Sequence, residues 1–266
     1  MDLRIEMITP EMAEKYLQFN TSNRNLRKTL VSQYARDMLN GNWRLTHQGL
    51  AFNKAGTLLD GQHRLAAIVE SGVAVRMVVA RGVDTQHQLV MDDHAKRSAG
   101  DALTLVRGER VTAFDVSIVR AAIDLQTARR DKCRSTKEEL NELLDLFRGP
   151  LDFTRPFIPK GMRGVASAPA WAAIALSWFY VKDLDRLRTF CSMISGMEMA
   201  TQECDRAAQM VREWLLRTGV RFAPQRMDAF KKTQRAIVAF MNHQKLDKLY
   251  GTSVYYPWPL VDPIRQ

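Results

Sequence analysis

The spacing of apolar and polar positions predicts short strands in the first third of the chain. Residues 3–8 alternate as in a half-buried strand, and residues 73–81 form a longer β-branched run. Between them, residues 49–53 and 57–59 predict two strands of a hairpin that turns at Lys54-Ala55-Gly56. A short strand at 89–91 follows a short helix near 84–89.

Helical patterns alternate with these strands. Thr9-Pro10-Glu11 predicts an N-cap and first turn for a helix that reaches about Phe19. From about residue 109 onward the sequence predicts helices and no strand, and the prolines and glycines between Pro150 and Gly164 predict a break. The aromatic and Pro-rich tail from Tyr250 is expected to pack in extended form. The pattern Ser135-Thr136-Lys137-Glu138 predicts a capping box. The remaining predicted helices are 27–40, 61–71, 99–106, 113–130, 136–147, 168–181, 184–195, 202–218 and 226–248.

We therefore predict an α+β protein with two domains. A small mixed α/β domain occupies residues 1–107, and an all-helical domain occupies residues 108–266. Charge adds one distinction between them. The formal net charge is +10, and residues 1–105 contain 13 Lys and Arg against 11 Asp and Glu, whereas the remainder contains 26 against 18. This excess favours an anionic macromolecular partner such as nucleic acid for the helical domain.

Several protein classes are disfavoured by the sequence. It has no apolar run of membrane-spanning length and no signal-peptide pattern near residue 1, so we expect no membrane partner. The three cysteines are far apart and odd in number, which predicts buried thiols in a reducing compartment. We expect a cytoplasmic protein of a bacterium or of a phage-infected cell.

The main candidate binding and catalytic residues lie at residues 58–64. Leu58-Leu59 predicts a strand end, Asp60-Gly61 a turn, and Gln62-His63-Arg64 the first turn of a helix. A strand–glycine–helix turn directs backbone N–H groups and a positive helix end at one point, as phosphate sites do. Cations in a first turn are disfavoured without an anion. We predict an anion site at residues 60–64.

Each residue of this turn has an alternative interpretation. Asp60 is either a helix cap or a Mg²⁺ ligand and base. His63 is either a structural hydrogen-bonding residue or a group that transfers protons. Arg64 either binds the anion or pairs with Asp60, which would then be the anion itself.

A second polar cluster is Asp92-Asp93-His94, followed by Lys96-Arg97. It either holds a metal or acts as acid and base, or it is an ordinary turn between strand and helix. The catalytic candidates are thus Asp60, His63 and Asp93, and the metal candidates are Asp60 and Asp92. Asn23, Arg24 and Arg27 are lesser candidates.

Basic residues surround the last predicted helix. Lys231, Lys232 and Arg235 are the DNA-contact candidates, and the alternative is a solvated basic face. The neighbouring basic residues are Arg221, Arg226, Lys245 and Lys248. Trp171, Trp178 and Trp214 are expected in the core.

The turn resembles that of the ParB/sulfiredoxin superfamily, which carries Gly-Xaa-Xaa-Arg-Xaa-Xaa-Ala; here Gly61, Arg64 and Ala67 stand in those places. The string DGQHRLAA is most similar to ParB-like proteins of phages and prophages, and the resemblance covers residues 1–105. It implies a nucleotide site for CTP or ATP, with Mg²⁺. Gly61 and Gln62 would contact phosphate through their backbone, Arg64 would pair with it, and His63 would donate a hydrogen bond.

The sequence of the turn differs from those of the superfamily in two respects. Gln62 replaces the cysteine of sulfiredoxins, which excludes thiol chemistry, and the arginine-rich ParB version of the turn is absent. The expected function is a nucleotide-phosphate-binding ParB-like protein that acts on or with DNA. Its enzymatic forms would be an NTPase, a phosphotransferase or a nuclease. The alternative is a non-enzymatic DNA-binding or adaptor protein that keeps only the fold.

Overall fold

The structure, a computed structural model, describes residues 1–21, 23, 25–85, 98–126, 135–251 and 253–259. Within these residues it contains eleven α-helices and one four-stranded sheet, so the predicted α+β class is confirmed. The chain divides into two compact units. The first comprises Met1–Lys96 with Arg130–Glu139, and the second comprises Arg97–Arg129 with Leu140–Gln266.

The first unit carries the sheet. Its strands and helices are, in chain order, β1 (Asp2–Ile8), α1 (Pro10–Leu17), α2 (Lys28–Leu39), β2 (Leu50–Asn53), β3 (Leu58–Asp60), α3 (Gln62–Ser71) and β4 (Val75–Val83). The predicted start of α1 is confirmed, because the Thr9 hydroxyl accepts the N–H of Met12 at 3.3 Å and Pro10 opens the helix. The short helix and strand predicted between residues 84 and 91 fall largely on residues 86–97, outside the described part.

The strand order is β1-β4-β2-β3. β1 runs antiparallel to β4, β2 runs parallel to β4, and β3 runs antiparallel to β2. The start of β2 requires a glycine, because a Cβ on Gly49 would lie 1.7 Å from the carbonyl oxygen of Val78. The three helices share one hydrophobic core with the sheet, centred on fully buried side chains such as Ile8, Leu58 and Leu65.

The described residues of the second unit contain helices and no strand. The helices from residue 99 onward are α4 (Ala99–Arg107), α5 (Ala113–Gln126), α6 (Lys137–Leu146), α7 (Arg148–Thr154), α8 (Ala168–Ser177), α9 (Leu184–Ser195), α10 (Arg206–Thr218) and α11 (Ala223–Met241). The first three residues of α6 belong to the first unit. Every residue of α8 is buried, so this helix forms the centre of the core. Trp171 is fully buried there and donates its indole N–H to the carbonyl of Val165 at 2.8 Å, as expected for a core tryptophan.

Three predictions in this half are wrong in detail. The cap of α6 is Thr136 with Glu139, one residue later than predicted: the Thr136 N–H donates to the Glu139 carboxylate at 2.8 Å, and the Glu139 N–H donates to the Thr136 hydroxyl at 3.2 Å. The predicted break begins inside α7, because Pro150 lies in the first turn of this helix. The missing N–H of a proline costs no hydrogen bond in a first turn. Helix α11 ends at Met241 and not at 248, because His243 adopts a left-handed φ of 53°.

The cysteines differ from one another. Cys191 is fully buried, so the predicted buried thiol is confirmed there, and burial raises the pKa of this thiol. Cys204 is only partly buried, and Cys133 lies outside the described residues. None of the described helices combines the length and apolar character needed to cross a membrane.

Candidate functional site

Gly61 forms the turn between β3 and α3, where strand, glycine and helix follow one another as predicted. Its φ of 108° lies in the left-handed region, which favours glycine. A Cβ at this position would also lie 2.5 Å from Leu50 Cδ2 and 3.2 Å from the carbonyl oxygen of Gly49. Conformation and close packing therefore both require glycine at this turn.

Asp60 accepts two hydrogen bonds at the turn. Its Oδ1 accepts the N–H of Gly61 at 2.7 Å, and its Oδ2 accepts Nη1 of Arg64 at 3.3 Å. The carboxylate is 41% exposed. The Gly61 N–H and Arg64 Nη1 are among the donors that were expected to contact a phosphate. Asp60 therefore acts as the anion of the turn, which was the alternative interpretation of its pair with Arg64.

Arg64 is held more firmly by backbone than by Asp60. Its Nη1 donates to the carbonyl of Gly49 at 2.8 Å, and the side chain is only 14% exposed. The 3.3 Å distance to Asp60 is longer than the 2.7–2.9 Å usual for charge-assisted bonds. Since Gly49 sets the position of the guanidinium, Arg64 does not need Asp60 to stay at the turn.

His63 links the first turns of two helices. The ring is buried, and its Nε2 accepts the backbone N–H of Arg27, the N-cap residue of α2, at 3.0 Å. A ring nitrogen that accepts a hydrogen bond carries no proton, so the proton of the neutral imidazole is on Nδ1. The hydrogen bond from His63 to phosphate that the resemblance implied would have to come from Nδ1.

A polar loop after α1 connects to the same turn. The side-chain amide of Asn20 donates to Oε1 of the buried Gln62 at 3.1 Å. Asn23 Nδ2 donates to the carbonyl of Leu58 and to Oδ1 of Asn20, both at 2.7 Å. Asn23 and Arg27 were only lesser site candidates in the sequence analysis, and Asn20 was not among the candidates. The sequence pattern that could have identified this loop is the presence of several asparagines between two helices, since asparagine side chains often form hydrogen bonds with nearby backbone groups.

The starts of α2 and α3 lack a negative group within the helix. Neither helix has a side-chain N-cap, and neither has an acidic residue in its first turn. Helices α7, α8 and α10 share both properties, so the distinguishing feature of α2 and α3 is that their starts meet at the Arg27–His63 hydrogen bond. Arg27 and Lys28 at the start of α2 are exposed. The junction of α2 and α3 therefore combines two positive helix ends with added cations.

A cleft of about 480 Å³ lies elsewhere in this unit, lined by Tyr16, Phe19, Phe52, Asn53, Lys54, Gly56, Arg81 and Gly82. Arg81 binds both carboxylate oxygens of Glu6 and donates from Nη2 to the Tyr16 hydroxyl at 3.0 Å. The hydrogen bond from Arg81 lowers the pKa of Glu6. No sequence pattern indicated this cleft, because its walls come from segments distant along the chain.

Several predicted site residues lie outside the described part of the chain: Arg24, Asp92, Asp93, His94, Lys96 and Arg97. Within the described part, no group of three or more His, Cys, Asp or Glu side chains is arranged to hold a metal ion. The structure thus places Asp60, Gly61, Gln62, His63 and Arg64 in one turn, and does not test their grouping with Asp92 and Asp93.

The DNA-contact candidates on α11 are half-buried. The ammonium of Lys232 lies 3.8 Å from Asp228 and 4.2 Å from the centre of the Trp214 ring. The guanidinium of Arg235 lies 5.9 Å from the centre of the Tyr255 ring. These contacts give Lys232 and Arg235 roles within the second unit itself.

Comparison of the chain with protein-family models, with curated proteins and with solved structures gave no match.

Proposed function

We propose that the turn from Asp60 to Arg64 binds a phosphate group of a nucleotide, CTP or ATP with Mg²⁺, in a ParB/sulfiredoxin-like domain. The observation that carries this proposal is the meeting of the α2 and α3 N-termini at the Arg27–His63 hydrogen bond, with no acidic residue in either first turn. Each helix end is equivalent to roughly half a positive charge, and Arg27, Lys28 and Arg64 add to it. An anion at this junction is stabilised by all of them.

The contacts of Asp60 are compatible with such a ligand. Its pair with Arg64 is long and partly solvated, and pairs of this kind contribute only about 0–1 kcal/mol. A phosphate oxygen on the same guanidinium forms a charge-assisted bond of about 1.5–3 kcal/mol. Phosphate therefore competes successfully with Asp60, and the displaced carboxylate suits the Mg²⁺ that accompanies a triphosphate.

Catalysis at this turn stays a prediction from the sequence. An NTPase, phosphotransferase or nuclease would need Asp60 or Asp93 at the metal or as a base, and Arg64 to stabilise charge that develops on the phosphoryl group. We propose DNA as the macromolecular partner, because the basic excess of the chain lies in its helical half.

One observation favours a second candidate. Asp60 already accepts hydrogen bonds from Gly61 and Arg64, so these two donors have a partner within the turn without any ligand. This is what a DNA-binding or adaptor protein that retained only the fold would show.

Nucleotide titration separates the two candidates. Labelled CTP, ATP and GTP are titrated with Mg²⁺ against the wild type, Arg64→Ala and Arg64→Lys, with Arg76→Ala as the control from an exposed position on β4. We expect saturable binding by the wild type and the control, at least about tenfold weaker binding by Arg64→Ala, and partial recovery in Arg64→Lys. If no nucleotide binds to the wild type, the phosphate proposal is wrong and the second candidate is favoured.

A further inference from the structure

β1 is an edge strand of the sheet. Among the described residues only β4 lies beside it, and its seven residues pair without interruption from Asp2 opposite Arg81 to Ile8 opposite Val75. The opposite edge strand, β3, has three residues and an irregular register with β2. Edges are normally blunted by short length, bulges, proline or charged side chains. β1 is neither short nor bulged and contains no proline, and its charged residues, Asp2, Arg4 and Glu6, are of both signs, so they can pair with a partner strand as well as repel one. It is therefore the edge on which a further strand is expected.

The outer face of β1 carries an apolar row. Leu3, Ile5 and Met7 are 58%, 54% and 52% exposed. Leu3 lies opposite Ala80 and Ile5 opposite Val78, so this part of the row continues onto β4, whereas Met7 lies opposite the exposed Arg76. The alternate residues point to the other face, since Ile8 is fully buried in the core and Glu6 contacts Arg81. A single sheet face thus combines solvent-exposed aliphatic side chains with a free strand edge.

The charges of β1 complement those of β1 in a second copy that runs antiparallel to it. If a second copy pairs antiparallel with the axis of symmetry at Ile5, Arg4 lies opposite Glu6 of the second copy, and this occurs twice. Leu3 then lies opposite Met7 of the second copy. The apolar row of one chain would continue directly into that of the other.

Other registers are disfavoured. A shift by one residue would pair outer-face side chains with core-face side chains. An axis at Arg4 would oppose two arginines and pair Asp2 with Glu6, and an axis at Glu6 would oppose two glutamates. An axis at Leu3 avoids like charges but uses only residues 1–5 of the strand. Charge and length therefore select the register centred on Ile5.

We propose that this chain forms a two-fold symmetric dimer, in which β1 pairs antiparallel with β1 of a second copy about Ile5 and joins the two sheets. Glu6 then lies between Arg81 of its own chain and Arg4 of the second copy. The contact is self-complementary and closes on itself, so it produces a dimer and not a filament. The proposal is independent of the phosphate site.

The first test measures the molar mass of the full chain by light scattering over a concentration series. We expect a dimer that dissociates on dilution. Arg4→Glu replaces both attractive pairs with like charges and is expected to weaken the dimer by roughly ten- to a hundredfold. The control Lys54→Glu makes the same charge change at an exposed position in the turn between β2 and β3, and is expected to leave the dimer unchanged.

The second test determines the register. Residues directly opposite each other in an antiparallel pair have Cβ atoms about 4.5–5.5 Å apart, close enough for a disulfide after small adjustments. Ile5→Cys is expected to form a disulfide-linked dimer on mild oxidation. Leu3→Cys is not, because two Leu3 residues would lie four positions apart along the strands. The wild type, with its own cysteines, sets the background.

The double variant Leu3→Cys/Met7→Cys is expected to cross-link, which shows that a cysteine at position 3 is competent. A monomer at every concentration overturns the proposal, as does a dimer that Arg4→Glu leaves unchanged. Cross-linking of Leu3→Cys as readily as Ile5→Cys contradicts the register and overturns it too. Far-UV circular dichroism of each variant verifies that the chain is folded.

Discussion

The backbone N–H of Arg27 donates to Nε2 of His63 at 3.0 Å, across 36 positions of sequence. This bond joins the start of α2 to the first turn of α3. A buried side chain thereby satisfies one of the N–H groups at the start of α2. The same bond brings two positive helix ends together, so a residue that resembles a catalytic histidine in sequence acts first as a structural link.

His63→Phe is expected to destabilise the protein by about 1–2 kcal/mol, because it keeps a ring in the buried space but leaves the Arg27 N–H without this acceptor. His63→Gln offers an acceptor at a similar reach and is expected to lose less. Chemical denaturation of the three proteins measures the difference. Equal stability of the wild type and His63→Phe would show that the hydrogen bond contributes nothing.

Gly61→Ala is expected to cost about 1–3 kcal/mol more than Gly72→Ala. Both glycines flank α3 with left-handed φ values, 108° and 68°, so both variants carry backbone strain. Only at Gly61 would the new Cβ meet Leu50 and the Gly49 carbonyl, whereas nothing lies within 4 Å at Gly72. The difference contains both the crowding at Gly61 and its greater backbone strain, because a φ of 108° lies outside the left-handed helical region in which Gly72 falls. Equal losses in urea denaturation would argue against both effects at the turn.

The Glu6–Arg81 contact predicts a pH dependence of stability. Since the hydrogen bond from Arg81 lowers the pKa of Glu6 in the folded state, the carboxylate stabilises the fold fully above its ordinary value of 4.5. This contribution is lost as the pH falls below that value through the folded-state pKa. Glu6→Gln should therefore be less stable than the wild type at pH 7, with a difference that disappears in acid.

Urea denaturation at several pH values and low protein concentration measures this difference. Glu14→Gln, which removes an exposed carboxylate from α1, serves as the control. A Glu6→Gln difference that stayed constant from neutral to acidic pH would mean that the ion pair does not stabilise the fold.

Duplex DNA binding should weaken as salt increases if the helical half contacts phosphates. The slope of log affinity against log salt changes by about 0.9 for each phosphate contact. Arg221 and Lys248 are exposed, so Arg221→Ala/Lys248→Ala is expected to make the slope shallower. Lys232→Ala should mainly reduce stability, because Lys232 packs on Trp214. A flat slope for the wild type would contradict DNA contact by this half.

Elements with local signals were predictable from the sequence. The start of α4 is an example, because the helix predicted at 99–106 begins at a capping box between near neighbours: the Ser98 hydroxyl accepts the Asp101 N–H at 3.1 Å, and the Asp101 carboxylate accepts the Ser98 N–H at 3.2 Å. The turn at Gly61 likewise follows from neighbouring residues alone. The cap of α6 was ambiguous, because Ser135 with Glu138 and Thr136 with Glu139 fit the same pattern. Ser135 and Thr136 are both buried, so only tertiary packing distinguishes them.

The partners within the site were not predictable. Arg64 donates to Gly49, 15 positions earlier, and Arg27 donates to His63 from outside the motif. No periodicity or motif encodes which carbonyl a guanidinium will meet, because that depends on how β2 and α3 pack. Pro150 within α7 shows the same limit, since a proline that suggests a break is also tolerated in a first turn.

The most direct test of the phosphate site compares two substitutions with opposite expected signs. Calorimetric titration of CTP and ATP, without Mg²⁺, is carried out on the wild type, Asp60→Asn and Arg64→Ala. Asp60→Asn removes the competing anion and is expected to bind the nucleotide about two- to fivefold more tightly than the wild type, whereas Arg64→Ala is expected to lose binding. Affinity that neither substitution changes would contradict a phosphate site at this turn, as would absence of binding in all three proteins both in this titration and when it is repeated with Mg²⁺.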